Sequence, residues 1–178
     1  MKAASIVILF ATFSFAQNPS HPAALDATCG PHEIQFDTQA TIMNEPLPQF
    51  EAGKSLVYVV EVFDKVVGQI SRPTLRVGID GAWVGAAKGD SYISFSVDPG
   101  EHHLCTRWQS RWKRYSNEAA FTSFTADPGK VYYFRARIAE YGASGGASNF
   151  SLDLEPLNGD EGKYLVASSV LSTSRPKK

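Results

Sequence analysis

Residues 75–104 read LRVGIDGAWVGAAKGDSYISFSVDPGEHHL. Apolar and polar side chains alternate over residues 75–79 and again over residues 93–97, which is the period-two pattern of half-buried strands. Between them, Asp80-Gly81 is a dipeptide that favours the two-residue turn of a β-hairpin. Asp98-Pro99-Gly100 predicts a second reversal, because proline fixes φ and glycine accepts a positive φ. The stretch therefore predicts short strands joined by tight turns.

The same pattern continues on both sides of this stretch. Residues 56–63 are apolar on both faces except at Glu61, which predicts a central strand buried on two sides. Asp127-Pro128-Gly129 repeats the earlier turn, and residues 132–138 and 150–154 alternate again. Short strands at this spacing predict an all-β fold, an antiparallel β-sandwich of about seven to nine strands.

A short closing helix is predicted over residues 161–171, although Val166 and Val170 would suit a strand almost as well. Length and composition place the whole chain on the scale of one globular domain, with 178 residues, 43% hydrophobic and 20% charged. Seventeen basic side chains oppose eighteen acidic ones, so the net charge gives no reason to expect a nucleic-acid partner.

The first sixteen residues predict a cleaved secretory signal peptide. Met1-Lys2 is a basic start, residues 3–15 are almost entirely apolar, and Ala16 is a small residue at the expected cleavage point. The apolar run is shorter than the roughly 20 residues of a spanning helix, so no transmembrane span is expected after cleavage. The mature protein is expected to be secreted or periplasmic. The predicted divisions are a signal peptide at 1–16, an N-terminal arm at 17–54, the β-sandwich domain at 55–172 and a basic C-terminal tail at 173–178.

The two cysteines, Cys29 and Cys105, are expected to form a disulfide. An exported chain with only two cysteines offers each no other partner, and the bond would tie the proline-rich arm to a core strand. The alternative is a catalytic thiol at Cys105 with His103 as its base, but an exported thiol tends to oxidise. A structural bridge is therefore the favoured interpretation.

Several segments together resemble a known family. Residues 77–85, 97–104 and 128–134, with Tyr92, resemble the bacterial envelope family catalogued as domain of unknown function 2846. The middle stretch is also similar to the PEGA repeat, an extracytoplasmic β-sandwich module. The resemblance implies an exported sandwich of the immunoglobulin or PEGA type, attached to envelope or surface assemblies, and it carries no catalytic residues with it.

Catalytic and metal-binding patterns are sparse in this sequence. His102 and His103 are consecutive, so on a strand they face opposite sides and cannot easily serve one site. The sequence contains neither a Gly-x-Ser-x-Gly elbow nor a phosphate-binding glycine loop. We therefore expect a non-enzymatic binding or interaction module with no catalytic residues, no metal and no cofactor. The alternatives are a secreted hydrolase centred on His103 and a structural accessory protein that pairs through an exposed strand edge.

One segment is unusual in composition. Residues 107–115 read RWQSRWKRY, with four cations and three aromatic rings but no acidic residue. The favoured interpretation is a hairpin whose Trp108 turns inward while its cations keep the tip soluble. Guanidinium and ammonium groups also bind anionic oxygens and flat rings stack on sugars, so the alternative is a binding segment whose partner is an anionic envelope polymer or another envelope protein. The candidate ligand-binding residues are Arg107, Trp108, Arg111, Trp112, Lys113, Arg114 and Tyr115.

Overall fold

The structure, a computed structural model, describes residues 21–41, 51–63, 73–144 and 147–178. The predicted signal peptide lies outside these residues. The strands are β1 Phe36–Thr41, β2 Ser55–Phe63, β3 Thr74–Ile79, β4 Ala82–Lys88, β5 Ser91–Val97, β6 Gly100–Trp108, β7 Ala119–Ala126, β8 Val131–Ser144, β9 Ala147–Leu157 and β10 Val170–Pro176. The helices are α1 His21–Cys29, α2 Lys113–Ser116 and α3 Gly159–Ser168. Within the described part of the chain, no helix has the length and apolarity needed to cross a membrane.

The strands form two sheets that pack as a sandwich, which confirms the predicted all-β fold class. Sheet A has the order β1-β10-β5-β2-β8-β9, and sheet B has the order β4-β3-β6-β7. The described residues form ten strands rather than seven to nine, because segments from both ends of the chain add β1 and β10 to sheet A. Two pairings, β2 with β8 and β5 with β10, are parallel, and the others are antiparallel.

The predicted turns lie where the sequence places them, but one joins strands of the same sheet and the other two connect the two sheets. Asp80 and Gly81, with φ of 51° and 79°, join β3 and β4 in a hairpin within sheet B. The Asp98-Pro99-Gly100 turn instead carries the chain from β5 in sheet A to β6 in sheet B. The Asp127-Pro128-Gly129 turn carries it back from β7 in sheet B to β8 in sheet A. Gly100 pairs with Ala126, so both Pro-Gly turns lie at the same end of the sandwich, where the chain crosses between the two sheets.

Strand β2 is the centre of the fold, as its two apolar faces predict. Val57 and Val59 belong to the main core between the sheets. Tyr58 and Val60 belong to a second core on the other face of sheet A, where Val166 of α3 covers them. An apolar residue on either face of β2 is therefore removed from water.

The C-terminal segment is both a helix and a strand. Helix α3 begins after Asn158, whose side chain accepts hydrogen bonds from the backbone N–H groups of Asp160 and Glu161. Residues 170–176 then form β10 between β1 and β5. Residues 173–176 thus belong to the sheet rather than to the predicted basic tail. Strand β10 pairs with β1 through backbone hydrogen bonds. These bonds do not depend on side chains, so the polar Ser and Thr residues of β10 form a strand although they show no apolar alternation.

The N-terminal segment is more regular than the predicted arm, because α1 and β1 lie within it. Helix α1 contacts β3, β4 and β6 on the outer face of sheet B. The predicted disulfide is confirmed: Cys29 at the end of α1 is bonded to Cys105 of β6, and both residues are fully buried. The carbonyl of Cys29 comes so close to Gly78 that β3 has no room for a side chain there.

We expect the disulfide to contribute strongly to stability. Replacing both Cys29 and Cys105 with serine should lower the free energy of unfolding by about 4 kcal/mol, since the bond closes a loop of 76 positions. Chemical denaturation of the variant and the oxidised protein measures the difference. Reduction of the wild-type protein should produce a similar loss, whereas equal stability of the variant and the oxidised protein would contradict the expectation.

Glu61 is the buried exception in β2. Its Oε2 accepts a hydrogen bond from the backbone N–H of Gly89 at 2.9 Å, while its Oε1 has no partner among the described residues. Burial raises the pKa of Glu61 well above 4.5, the nearby Asp90 charge raises it further, and the Gly89 hydrogen bond lowers it in part. The folded state therefore binds this proton more tightly than the unfolded state does.

This raised pKa predicts that the free energy of unfolding falls as the pH rises and Glu61 loses its proton. Its favourable contribution is complete below the unfolded pKa and is lost as the pH rises from there through the folded pKa. Glu61→Gln keeps an oxygen for the Gly89 N–H and removes the titration. Calorimetry should show the Tm of the variant falling less between pH 4.5 and about 8 than the Tm of the wild type. Glu101→Gln, at an exposed carboxyl, is the control, and parallel curves for Glu61→Gln and the wild type would refute the prediction.

Candidate functional site

The loop between β6 and β7, residues 109–118, contains most of the candidate binding residues, and its base is firmly anchored. Gln109 imitates a strand partner for Phe36 of β1: its Nε2 donates to the Phe36 carbonyl at 2.9 Å, and its Oε1 accepts from the Phe36 N–H at 2.7 Å. The backbone N–H of Gln109 also donates to the carbonyl of Thr74. These bonds fix the start of the loop to both sheets.

Two of the three aromatic rings of the segment pack inward. Trp108 is 4% exposed, and its ring stacks on that of Tyr115 with centroids 4.7 Å apart. Both rings meet Phe150 of β9 edge-on. Trp108 is therefore turned inward, and the stacked faces of Trp108 and Tyr115 are used for packing.

The tip of the loop contains the exposed part of the segment. Trp112 is 73% exposed, and Arg111 beside it is also exposed. The backbone N–H of Trp112 donates to the hydroxyl of Ser110 at 3.1 Å, immediately before the single turn of α2. The side chains of Lys113 and Arg114 lie outside the described part of the structure. A ring and a cation therefore project from an anchored loop.

Arg107 does not belong to the exposed tip, because it is buried. It lies in β6 directly opposite Arg76 of β3, and the two residues are 5% and 3% exposed. Arg76 is not among the candidate residues predicted from the sequence. Its position on the polar face of an alternating strand was visible in the sequence, but the register that pairs it with Arg107 was not.

The arginine pair, Arg76 and Arg107, lines a cavity of about 220 Å³ that we call the arginine cleft. One wall is the segment after α1, with His32, Glu33 and Gln35, and the other is the β6–β7 loop, with Gln109. Arg76 donates from Nη1 to the carbonyls of His32 at 3.0 Å and Ile34 at 2.6 Å. The cleft therefore lies between the N-terminal segment and sheet B.

The other contacts of the pair involve one aromatic ring and one carboxylate. The guanidinium carbon of Arg76 lies 4.5 Å from the centroid of the Trp83 ring. Arg107 donates from Nε to the carbonyl of Ser116 at 2.8 Å and from Nη1 to Asp26 Oδ1 at 3.3 Å. Burial would raise the pKa of Asp26, but hydrogen bonding and the charge of His32, together with Arg107, lower it below its ordinary value. Asp26 is therefore ionised beside the pair.

Asp26, His32 and Glu33 also present ligand atoms within 4.8 Å of one another, a spacing that could hold a metal ion. Asp26 Oδ2 is already bonded to His32 Nδ1 at 2.6 Å, and its other oxygen accepts from Arg107. A divalent cation there would meet the positive charge of the buried guanidinium. Both oxygens of Asp26 are thus already engaged with partners in this chain.

The two adjacent histidines have separate environments. His102 is hydrogen-bonded through Nδ1 to Asp80 and through Nε2 to the carbonyl of Asp98, and its ring packs near Phe124. Burial lowers the pKa of His102, but these two partners raise it more, so the net pKa lies above its ordinary value. The side chain of His103 is exposed, and Cys105 is held in the disulfide. Cys105 therefore offers no free thiol for the alternative thiol site with His103.

We expect the two tryptophans of the loop to differ sharply in their effect on stability. Trp108→Ala should lower the free energy of unfolding by about 3 to 5 kcal/mol, because it empties a packed aromatic site. Trp112→Ala should change it by no more than about 0.5 kcal/mol, because the ring is exposed. Denaturant titrations of both variants measure these values. A large loss of stability in Trp112→Ala would mean that this ring is buried.

Comparison with known proteins provides no relative from which a function could be transferred. No family model, no curated protein and no solved structure matches this chain. The function must therefore be inferred from the residues of this chain and their geometry.

Proposed function

We propose that this protein is an exported, non-enzymatic binding module of the bacterial envelope, and that it binds an anionic envelope polymer through the tip of its β6–β7 loop. The location is secreted or periplasmic. The resemblance of residues 77–85, 97–104 and 128–134 to domain of unknown function 2846 favours an envelope protein. The partner is an acidic glycan or a lipid-linked polymer rather than a nucleic acid.

The observation that carries this proposal is the exposure of Trp112 on an anchored loop. A large ring that is 73% exposed gains little for the fold, because it is not removed from water. The same ring on a fixed loop loses little conformational entropy when it stacks on a sugar. Tryptophan and arginine are also the residues most often found where binding energy is concentrated. Arg111 and Trp112 are therefore suited to contact with a ligand.

The charge of the segment supports an anionic ligand. Arg111, Lys113 and Arg114 follow one another around Trp112 with no acidic residue among them. Cations in this arrangement attract acidic groups over roughly 10 Å at moderate salt and lose that attraction as salt screens it. The binding is therefore expected to combine a salt-dependent electrostatic part with a salt-independent stacking part.

The disulfide supports export. Cys29 and Cys105 are fully buried and bonded, and such bonds form and persist in oxidising compartments. This agrees with the signal peptide predicted at residues 1–16 and with a mature protein outside the cytosol.

Binding to peptidoglycan and lipopolysaccharide fragments tests the proposal. Isothermal titration at several salt concentrations should give an affinity that weakens as salt rises. Replacing Arg111, Lys113 and Arg114 with serine should abolish that salt dependence. Trp112→Ala should instead weaken binding at every salt concentration by about 1 to 3 kcal/mol, through the loss of ring stacking.

Matched variants on other faces provide the controls. Lys88, Lys130 and Lys163 are exposed, and replacing them with serine removes the same charge away from the loop. Tyr164 is 70% exposed on α3, so Tyr164→Ala removes a comparable ring. Neither control should change the affinity. Absence of binding, or equal effects of the loop variants and the controls, would overturn the proposal and favour an interaction through a strand edge or a His103 site.

A further inference from the structure

The arginine pair destabilises the folded protein unless other groups balance its charge. Arg76 and Arg107 are direct cross-strand partners, and like charges in that position repel each other. Both are at least 95% buried, where an unbalanced charge is far more costly than at the surface. Two buried guanidinium groups side by side therefore require negative charge nearby.

The described residues supply only part of that charge. Asp26 is the one carboxylate among them that hydrogen-bonds to either guanidinium, and it binds Arg107 alone. It also shares its other oxygen with His32. The partners of Arg76 are two neutral carbonyls and the ring of Trp83. The pair therefore has one positive charge more than its bonded carboxylate neutralises.

Unused hydrogen-bond donors accompany the unbalanced charge. The two guanidinium groups have five N–H donors each, and the described residues accept only four bonds from these ten. Arg76 Nε is buried and has no partner among them. Burial, followed by repulsion from Arg107, lowers the pKa of Arg76 to about 10 in spite of Asp26, so Arg76 still has its charge at neutral pH.

We propose that the arginine cleft binds the carboxylate group of a small ligand, with Arg76 and Arg107 as its receptor. A carboxylate accepts paired N–H donors from a guanidinium fork and supplies the bonded negative charge that Arg76 lacks. Glu33 also lines the cleft, but its carboxylate is largely exposed and bonds to neither guanidinium among the described residues. A phosphate monoester has nearly two charges and would exceed that balance. The cavity of about 220 Å³ is smaller than the roughly 300 to 1,000 Å³ of most cofactor sites, so it fits an acidic group rather than a whole cofactor.

This site is separate from the exposed loop tip of the proposed function. The cleft takes a free carboxylate whether or not the loop binds a polymer, so each proposal can fail without the other. The cleft and the tip nevertheless share the β6–β7 loop, because Gln109 lines the cleft and Trp112 lies three residues later.

Titration of the full, oxidised protein with acetate, and with glucuronate as a sugar-borne carboxylate, tests the site. Trp83 lies against Arg76, so tryptophan fluorescence should report binding, and isothermal titration gives the affinity. Saturable binding of either carboxylate is expected, and chloride at equal ionic strength should not reproduce the signal. Inorganic phosphate that binds more tightly than both carboxylates would overturn the carboxylate assignment.

Three variants identify the receptor. Arg76→Gln and Arg107→Gln should each weaken carboxylate binding by about tenfold or more, through the loss of a charged donor. Asp26→Asn should instead tighten it severalfold, because the carboxylate that competes for Arg107 is removed. Arg137→Gln, at an exposed ion pair with Asp153 on the β8–β9 hairpin, removes the same charge and should have no effect.

Asp26→Asn keeps the proposal falsifiable if the arginine variants do not fold. If Arg76 and Arg107 only anchored the N-terminal segment, neutralising Asp26 would not raise the affinity for a carboxylate. Unchanged or weaker binding by a folded Asp26→Asn protein would therefore overturn the proposal. So would binding by Arg76→Gln and Arg107→Gln that matches the wild type.

Discussion

Cys29, the last residue of α1, is bonded to Cys105 in the middle of β6, and this bond holds the N-terminal segment against the outer face of sheet B. The contacts on either side of it depend on that position. Asp26 reaches Arg107 from one side, and the carbonyls of His32 and Ile34 accept from Arg76 on the other. The Trp83 Nε1 donates to the carbonyl of Pro31 at 2.8 Å, which holds the same segment once more. Without the disulfide, the wall of the arginine cleft would lose the covalent bond that ties it to sheet B.

A second constraint is the central position of β2. Its residues are buried on both faces, so sheet A is covered by sheet B on one side and by α3 on the other. Helix α3 lies so close to sheet A that a side chain at Gly162 would collide with Tyr133. Because both faces of sheet A are covered, its surface for binding is small, and the connections between strands are the more exposed parts of the sandwich. The β6–β7 loop is such a connection, and its base is anchored to both sheets through Gln109.

The two proposed sites use arginine in two different ways. At the loop tip, Arg111 is exposed, so its attraction for an anion is weak, long-ranged and sensitive to salt. In the cleft, Arg76 and Arg107 are withdrawn from water, so each unused N–H and each unbalanced charge costs more. An acidic ligand would meet the first kind of site during its approach and the second kind only when one acidic group enters the cavity.

The sequence by itself determined the features that depend on local chemistry. Alternation predicted the half-buried strands, Asp80-Gly81 predicted the hairpin, and two lone cysteines predicted the disulfide. What only the tertiary structure decided is which strands become neighbours and in which register. Nothing local places Arg76 opposite Arg107, pairs β2 in parallel with β8, or recruits the polar residues of β10 as a partner for β1. Those pairings are set by contacts between residues far apart in the chain, where packing and backbone hydrogen bonding outweigh local preference. The arginine cleft is of this second kind, because its walls come from three segments that meet only in the folded protein.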